Sequence, residues 1–194
     1  MELYLANFSG LDPKQARAAA RSGRRGSVWG MSLLSSALER SLGLAALPEL
    51  GEDAFGKPCF PAFPGLCFSV SHSGGWAACA LHSAPVGVDL QRRREISPAL
   101  ASLVSPEEAE HWDFFQLWAL RESLFKLRGR GDLRHEPFRP GPDGMPAAPR
   151  HPEARFRLYA GVPDYVLALA WQDATAPPAA PRVLPAAALL RPGP

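Results

Sequence analysis

Lysine is scarce in this chain. Among 194 residues, twenty-one are Lys or Arg, and only Lys14, Lys57 and Lys126 are lysines. Cysteine is equally rare: Cys59, Cys67 and Cys79 make an odd number with no CxxC pair. That excludes a disulfide framework and a zinc knuckle, and points to free thiols in a reducing compartment. No charge of one sign dominates, since nineteen acidic residues leave a formal charge of +2. Bulk nucleic-acid coating is thereby excluded, though a local phosphate site is not. A membrane-spanning run is missing too. Residues 59–88 hold no Asp, Glu, Lys or Arg, but Pro61, Pro64, Gly65, Gly74, Gly75 and Pro85 interrupt them,. The start of the chain carries Glu2 and no apolar run, unlike a signal peptide,. A cytoplasmic monomer with no membrane and no nucleic-acid partner is the expectation. What is present is a globular composition, 46% hydrophobic and 21% charged, enough to bury a core,.

Along the chain, LYLANF reads as a strand, followed by a helix start at Asp12-Pro13. A basic cluster follows at Arg21, Arg24 and Arg25. Residues 28–44 have helical spacing through Trp29, Leu33, Leu34, Ala37, Leu38 and Leu42,. Residues 47–65 are loop-like. Three short apolar runs, LCFSVS, WAACAL and VGVDL, are separated by tight turns and predict an antiparallel three-strand meander,. In such a meander the first and third strands run the same way, which puts His72 and Asp89 at one end of the sheet. Ser105, Pro106 and Glu108 spell a capping box. Asp113 is placed to cap a helix over residues 114–128 that is apolar nearly all round and ends at Gly129,. Residues 155–171 read as a hairpin, and the Pro- and Ala-rich residues from 175 on as a tail without its own core,.

Three stretches can carry chemistry. In Phe68-Ser69-Val70-Ser71-His72-Ser73, hydroxyls and an imidazole end an apolar strand, a combination that suits phosphate oxygens. A serine-rich turn with a satisfied histidine is the simpler reading of that stretch alone. In Val86-Gly87-Val88-Asp89-Leu90-Gln91, alternation turns Asp89 and Gln91 to one side, as half of a magnesium site or as a strand-ending turn cap. On the last helix, Glu122 and Lys126 share one face with Trp118. Such a pair at this spacing is commonly a surface ion pair worth ~0.3–0.5 kcal/mol. On an otherwise apolar helix it also fits a metal-bound diphosphate, with the carboxylate on the metal and the ammonium on the phosphate.

Together, GKP (56–58), FSVSHS (68–73), VGVDLQ (86–91) and FFQLWALRESLFKLRGRG (114–131) occur in an order and spacing that resemble the Sfp-type 4′-phosphopantetheinyl transferases, over roughly residues 14 to 171. The resemblance implies an α+β fold of two pseudo-symmetric halves packed in one chain with the ligand cleft between them. The corresponding division is 1–90, 91–174 and a 175–194 tail. It also implies Mg²⁺-dependent transfer of the phosphopantetheine arm of coenzyme A to a serine of an acyl or peptidyl carrier protein, with release of 3′,5′-adenosine bisphosphate. By position, Asp89 and Glu122 resemble the metal ligands and Lys126 the lysine on the diphosphate. Ser71 and His72 match the pair on coenzyme A phosphates, and Lys57 the lysine near the 3′-phosphate. Arg24 and Arg25 are candidates for the nucleotide end. Glu108 stands either as general base or as the helix cap. Gln91 departs from the glutamate frequent at that place, and Arg121 from the usual lysine. Two rivals are a coenzyme A-binding protein that does not catalyse, and a phosphate-recognition module gripping nucleic acid through Arg21–Arg25.

Overall fold

The structure is a computed structural model, and it describes residues 1–17 and 28–190. The arginines at 21, 24 and 25 lie outside the described residues. Two sheets and two long helices make an α+β architecture. The first sheet contains β1 (Glu2–Asn7), β4 (Cys67–Ser73), β5 (Trp76–His82) and β11 (Arg182–Leu184), in the order β11-β1-β5-β4. The second contains β6 (Val86–Arg92), β9 (Ala154–Tyr159) and β10 (Tyr165–Gln172), in the order β6-β10-β9. Two-residue ribbons complete the strands: β2 (Gly51–Glu52) with β3 (Pro58–Cys59), and β7 (Arg139–Pro140) with β8 (Pro146–Ala147). The helices are α1 (Val28–Leu42), short α2 (Pro98–Ala101) and α3 (Pro106–Ala109), and α4 (Phe114–Arg128).

Strand alternation builds the layers. On β1, Tyr4 and Ala6 face α1 and pack with Leu33, Leu34, Ala37 and Leu38, while Leu3 and Leu5 face the other way. That other face meets Val86, Val88 and Leu90 of β6 and Leu167, Leu169 and Trp171 of β10, forming a core between the sheets. The outer face of β10, with Val166, Ala168 and Ala170, packs against Leu117, Leu120, Leu124 and Leu127 of α4. The order of layers is therefore α1, first sheet, second sheet, α4. This is the aligned or crossed sheet packing that half-buried strands favour once helices cover their outer faces.

The expected meander is not what forms. β4 and β5 pair as a hairpin, but β6 leaves them and pairs antiparallel with β10. β4 and β6 are joined by side chains instead. The backbone N–H groups of Val88, Leu90 and Arg92 donate to the hydroxyls of Ser69, Ser71 and Ser73 at 3.0, 3.2 and 2.9 Å. Both numbers in each pair rise by two, so the strands run the same way. His72 and Asp89 thus share an end, for a reason different from the one anticipated. Each such hydrogen bond is worth about 1 kcal/mol net, and the row replaces the backbone ladder that β6 lacks on this edge.

Two further differences concern boundaries. Residue 90 falls inside β6, which is built into the second sheet from Val86 onward. The Pro- and Ala-rich end is anchored: β11 pairs parallel with β1, and Leu184 and Leu189 are buried beside α1 and β1. The caps at Ser105 and Asp113 and the left-handed Gly129 (φ 71°) occur as the sequence indicates.

Candidate active site

Helix α4 can reach the site strand because residue 87 is glycine. A Cβ there would lie 2.0 Å from the Ser123 carbonyl oxygen and 2.5 Å from the Leu127 nitrogen. This close approach brings the half-buried stripe Phe114, Trp118, Glu122 and Lys126 of α4 past the Asp89 side of β6. Phe114 and Trp118 stack at 5.8 Å, ordering the stripe above the charged pair.

Asp89 is 2% exposed, and its oxygens are divided among three elements. Oδ1 accepts from the Ser71 hydroxyl of β4 at 2.8 Å and from the Lys126 ammonium of α4 at 2.6 Å. Oδ2 accepts from the Gln91 amide at 2.7 Å. Ser71 in turn accepts from Leu90 N, so its proton is directed to the carboxylate. A buried carboxylate is tolerated only with such donors and a counter-charge. Burial first, and the charge of Asp89 second, push the Glu122 carboxyl above its usual range, with Lys126 opposing. Those two carboxylates therefore feel each other across the strand–helix seam. His72 projects outward on β4. Burial and the Lys126 charge hold its imidazole below the ordinary 6.5, with Asp89 opposing, so it is neutral at pH 7 and offers a hydrogen bond rather than a positive charge.

Lys57 lies close by with a different orientation. Asp53 shapes the turn that presents it, accepting from the backbone N–H groups of Phe55 and Lys57. The Lys57 ammonium then donates to the carbonyls of Val86 at 2.9 Å and Leu127 at 3.3 Å, which ties the β2–β3 ribbon to the start of β6 and the end of α4. Burial lowers its pKa, with Cys67 and Asp53 opposing. Lys57 and Lys126 line one cleft of about 350 Å³, with Phe55, Phe68, Ser69, Val70, Phe125 and Gly129 among its other walls. The structure thus brings Ser71, His72, Asp89, Glu122 and Lys126 together and sets Lys57 at the adjoining cleft.

Glu108 is not part of this group. It is 6% exposed, and both of its oxygens are engaged. Oε2 accepts from Ser105 N, closing the capping box, and Oε1 accepts from Phe138 N. Arg121 Nη2 donates to both oxygens at 3.0 Å. Glu108 and Arg121 line a different cleft, beside Ser102, Arg134 and His135. The structure shows the capping role of Glu108, joined to a buried ion pair that pattern reading did not find. Sequence reasoning also missed Ser69, Ser73 and Gly87. Three serines at alternate positions on an apolar strand were the available signal for the first two.

Among the described residues no group of three or more His, Cys, Asp or Glu forms a protein-only metal cage. Magnesium bound to phosphates needs only one or two protein carboxylates, a donor set that Asp89 and Glu122 fit by their chemistry.

The chain is 36% identical to the 4′-phosphopantetheinyl transferase Sfp of Bacillus subtilis, over 40% of this chain and 39% of that protein. It is 35% identical to another 4′-phosphopantetheinyl transferase of Bacillus subtilis, over 53% of this chain and 51% of that one. It is 34% identical to the 4′-phosphopantetheinyl transferase AcpT of Salmonella typhi, over 60% of this chain and 66% of that one. The matches to the two Bacillus proteins thus span about half of their length or less. No protein-family model matches the chain. By these identities the chain is a relative of the 4′-phosphopantetheinyl transferases, Sfp-type members among them.

Proposed function

We propose that the chain transfers the 4′-phosphopantetheine arm of coenzyme A to a serine hydroxyl of an acyl or peptidyl carrier protein, with Mg²⁺ as cofactor. The carrying observation is the convergence of Asp89, Glu122 and Lys126 from one strand and one helix beside a cleft that also holds Lys57. The names of the relatives supply the reaction class. The two helix-covered sheets support the reading of two related halves.

In this reaction the carrier's serine oxygen forms a bond to the phosphorus that bears the pantetheine arm. The bond from that phosphorus to the bridging oxygen breaks, and 3′,5′-adenosine bisphosphate leaves with the electron pair. Asp89 and Glu122 would hold Mg²⁺, which when bound withdraws negative charge from the diphosphate oxygens. Lys126 supplies a compact positive charge to the same diphosphate, and neutral His72 supplies a hydrogen bond. Ser71 and Gln91 orient Asp89 through the hydrogen bonds given above. Engagement of both Glu108 oxygens favours water or a group the substrates bring as the acceptor of the serine proton, with Glu108 as the alternative base,. Arg24 and Arg25 remain our candidates for the nucleotide end.

The deciding experiment is incubation with coenzyme A, Mg²⁺ and a purified apo carrier protein, followed by intact mass. The expected result is the mass of one phosphopantetheine arm on the carrier. Coenzyme A binding without any mass increase would reject the reading.

A further inference from the structure

We infer that Lys126 is the resident counter-cation of Asp89, so that a divalent ion gains the carboxylate only when a diphosphate gives the ammonium another partner. The inference rests on the proposed function for the identity of that diphosphate, but the latch is a property of the free chain.

The argument begins at Asp89 Oδ1. This oxygen receives both the Lys126 ammonium at 2.6 Å and the Ser71 hydroxyl at 2.8 Å. Gln91 holds Oδ2. A cation approaching Asp89 therefore meets donors on both oxygens, one of them carrying a full positive charge. Ser71 cannot turn away easily, because its own oxygen accepts from Leu90 N within the serine row that joins the two sheets. Lys126 can. Its side chain is 26% exposed against 3% for Asp89, and it lines the cleft. The ammonium is thus the movable member of the cluster, and the cleft is where it would go. With Lys126 on Asp89, the two carboxylates have a single positive charge nearby where a divalent ion would bring two. The ion and the ammonium repel at this range. Anionic phosphate oxygens in the cleft remove that conflict, since they attract both cations.

The consequence separates two roles for one side chain. Lys126 suppresses metal binding to the free chain and supports it in the presence of a diphosphate. Manganese titration followed by electron paramagnetic resonance reads this directly, using wild type, Lys126→Met, Lys126→Gln and Lys126→Arg, each with and without coenzyme A. Without coenzyme A, the methionine and glutamine variants should bind Mn²⁺ at least about tenfold tighter than wild type, and the arginine variant close to wild type. Coenzyme A should tighten Mn²⁺ binding to wild type and much less to the two neutral variants. Circular dichroism selects the variants that keep the native fold, and one folded neutral variant is enough. Equal or weaker Mn²⁺ binding by a folded neutral variant overturns the latch. Carrier modification is scored separately: a tightened neutral variant alongside a wild type that modifies no carrier would keep the latch and reject the transferase reading.

Discussion

At the scale of single residues, Glu122 carries the clearest conflict between stability and function. Its carboxyl is raised by burial and by Asp89. A folded-state proton affinity above the unfolded one means that stability is present at low pH and is lost as pH rises from the ordinary 4.5 through the folded value,. Glu122→Gln should therefore melt higher than wild type above that window and no higher well below pH 4.5. If Glu122 holds Mg²⁺ as proposed, the same variant should lose transfer by about a hundredfold or more. Thermal melts across pH, together with carrier-modification rates, check both halves. Lys57 invites the opposite expectation. Its ammonium ties two backbone carbonyls, so Lys57→Met should cost about 1.5–3 kcal/mol in a urea melt, in addition to any loss of coenzyme A affinity,. An unchanged melt would make the carbonyl contacts incidental and return Lys57 to a phosphate role alone. Glu108→Ala breaks a buried ion pair and a cap at once, and should destabilise by about 3–5 kcal/mol,. If Glu108→Gln, which keeps the cap, still transfers at a substantial rate, no base is needed at that position.

At the scale of elements, the site is a seam between β6 and α4, and its width is set by Gly87. Gly87→Ala would drive a methyl group into the Ser123 carbonyl and the Leu127 backbone. The helix must then shift, at a cost of about 1–3 kcal/mol or more. Glu122 and Lys126 shift with it, so transfer should fall further than the melt alone suggests. A Gly87→Ala protein with wild-type transfer and an unaltered melt would show that the seam tolerates displacement. The elements were also where pattern reading worked best. Helix α4 was legible to the residue at both ends, because Asp113 and Gly129 are chemical stop signs for backbone groups that lack partners,. The hairpin β9–β10 was legible from two apolar runs split by the turn residues Gly161-Val162-Pro163-Asp164. The partner of β6 was not. A tight turn after β5 predicts pairing with β5, and only the packing of Val86, Val88 and Leu90 between two sheets shows why the strand turns away.

At the scale of the whole molecule, the two sheets share one core, and residues 182–189 close the separate core between α1 and the first sheet. β11 lies on the open edge of β1, and Leu184 and Leu189 fill the space beside α1. Deleting residues 182–194 removes both leucines, each worth about 1.5–3 kcal/mol when fully buried, and leaves the β1 edge unpaired. The truncated chain should unfold several kcal/mol more easily in urea and should associate at concentrations where the intact chain does not. Light scattering and a urea melt test this. An unchanged midpoint would make the segment dispensable. Among the described residues no helix is long and apolar enough to cross a membrane.

The sequence by itself determined the local grammar: where helices start and stop, which strand faces are apolar, and which residues of Ser71-His72, Asp89 and Glu122–Lys126 share an element. Those features depend on neighbours within a few positions, so the order of residues contains them. The resemblance of four motifs in order also pointed to the reaction class proposed above. Tertiary structure alone decided how the elements meet. It set the serine row between β4 and β6, the Asp89–Lys126 contact, the burial of Glu108 against Arg121, and the inward turn of Lys57. Each of these joins groups at least thirteen positions apart, and in a buried site the free energy of a charge depends on which distant donors reach it.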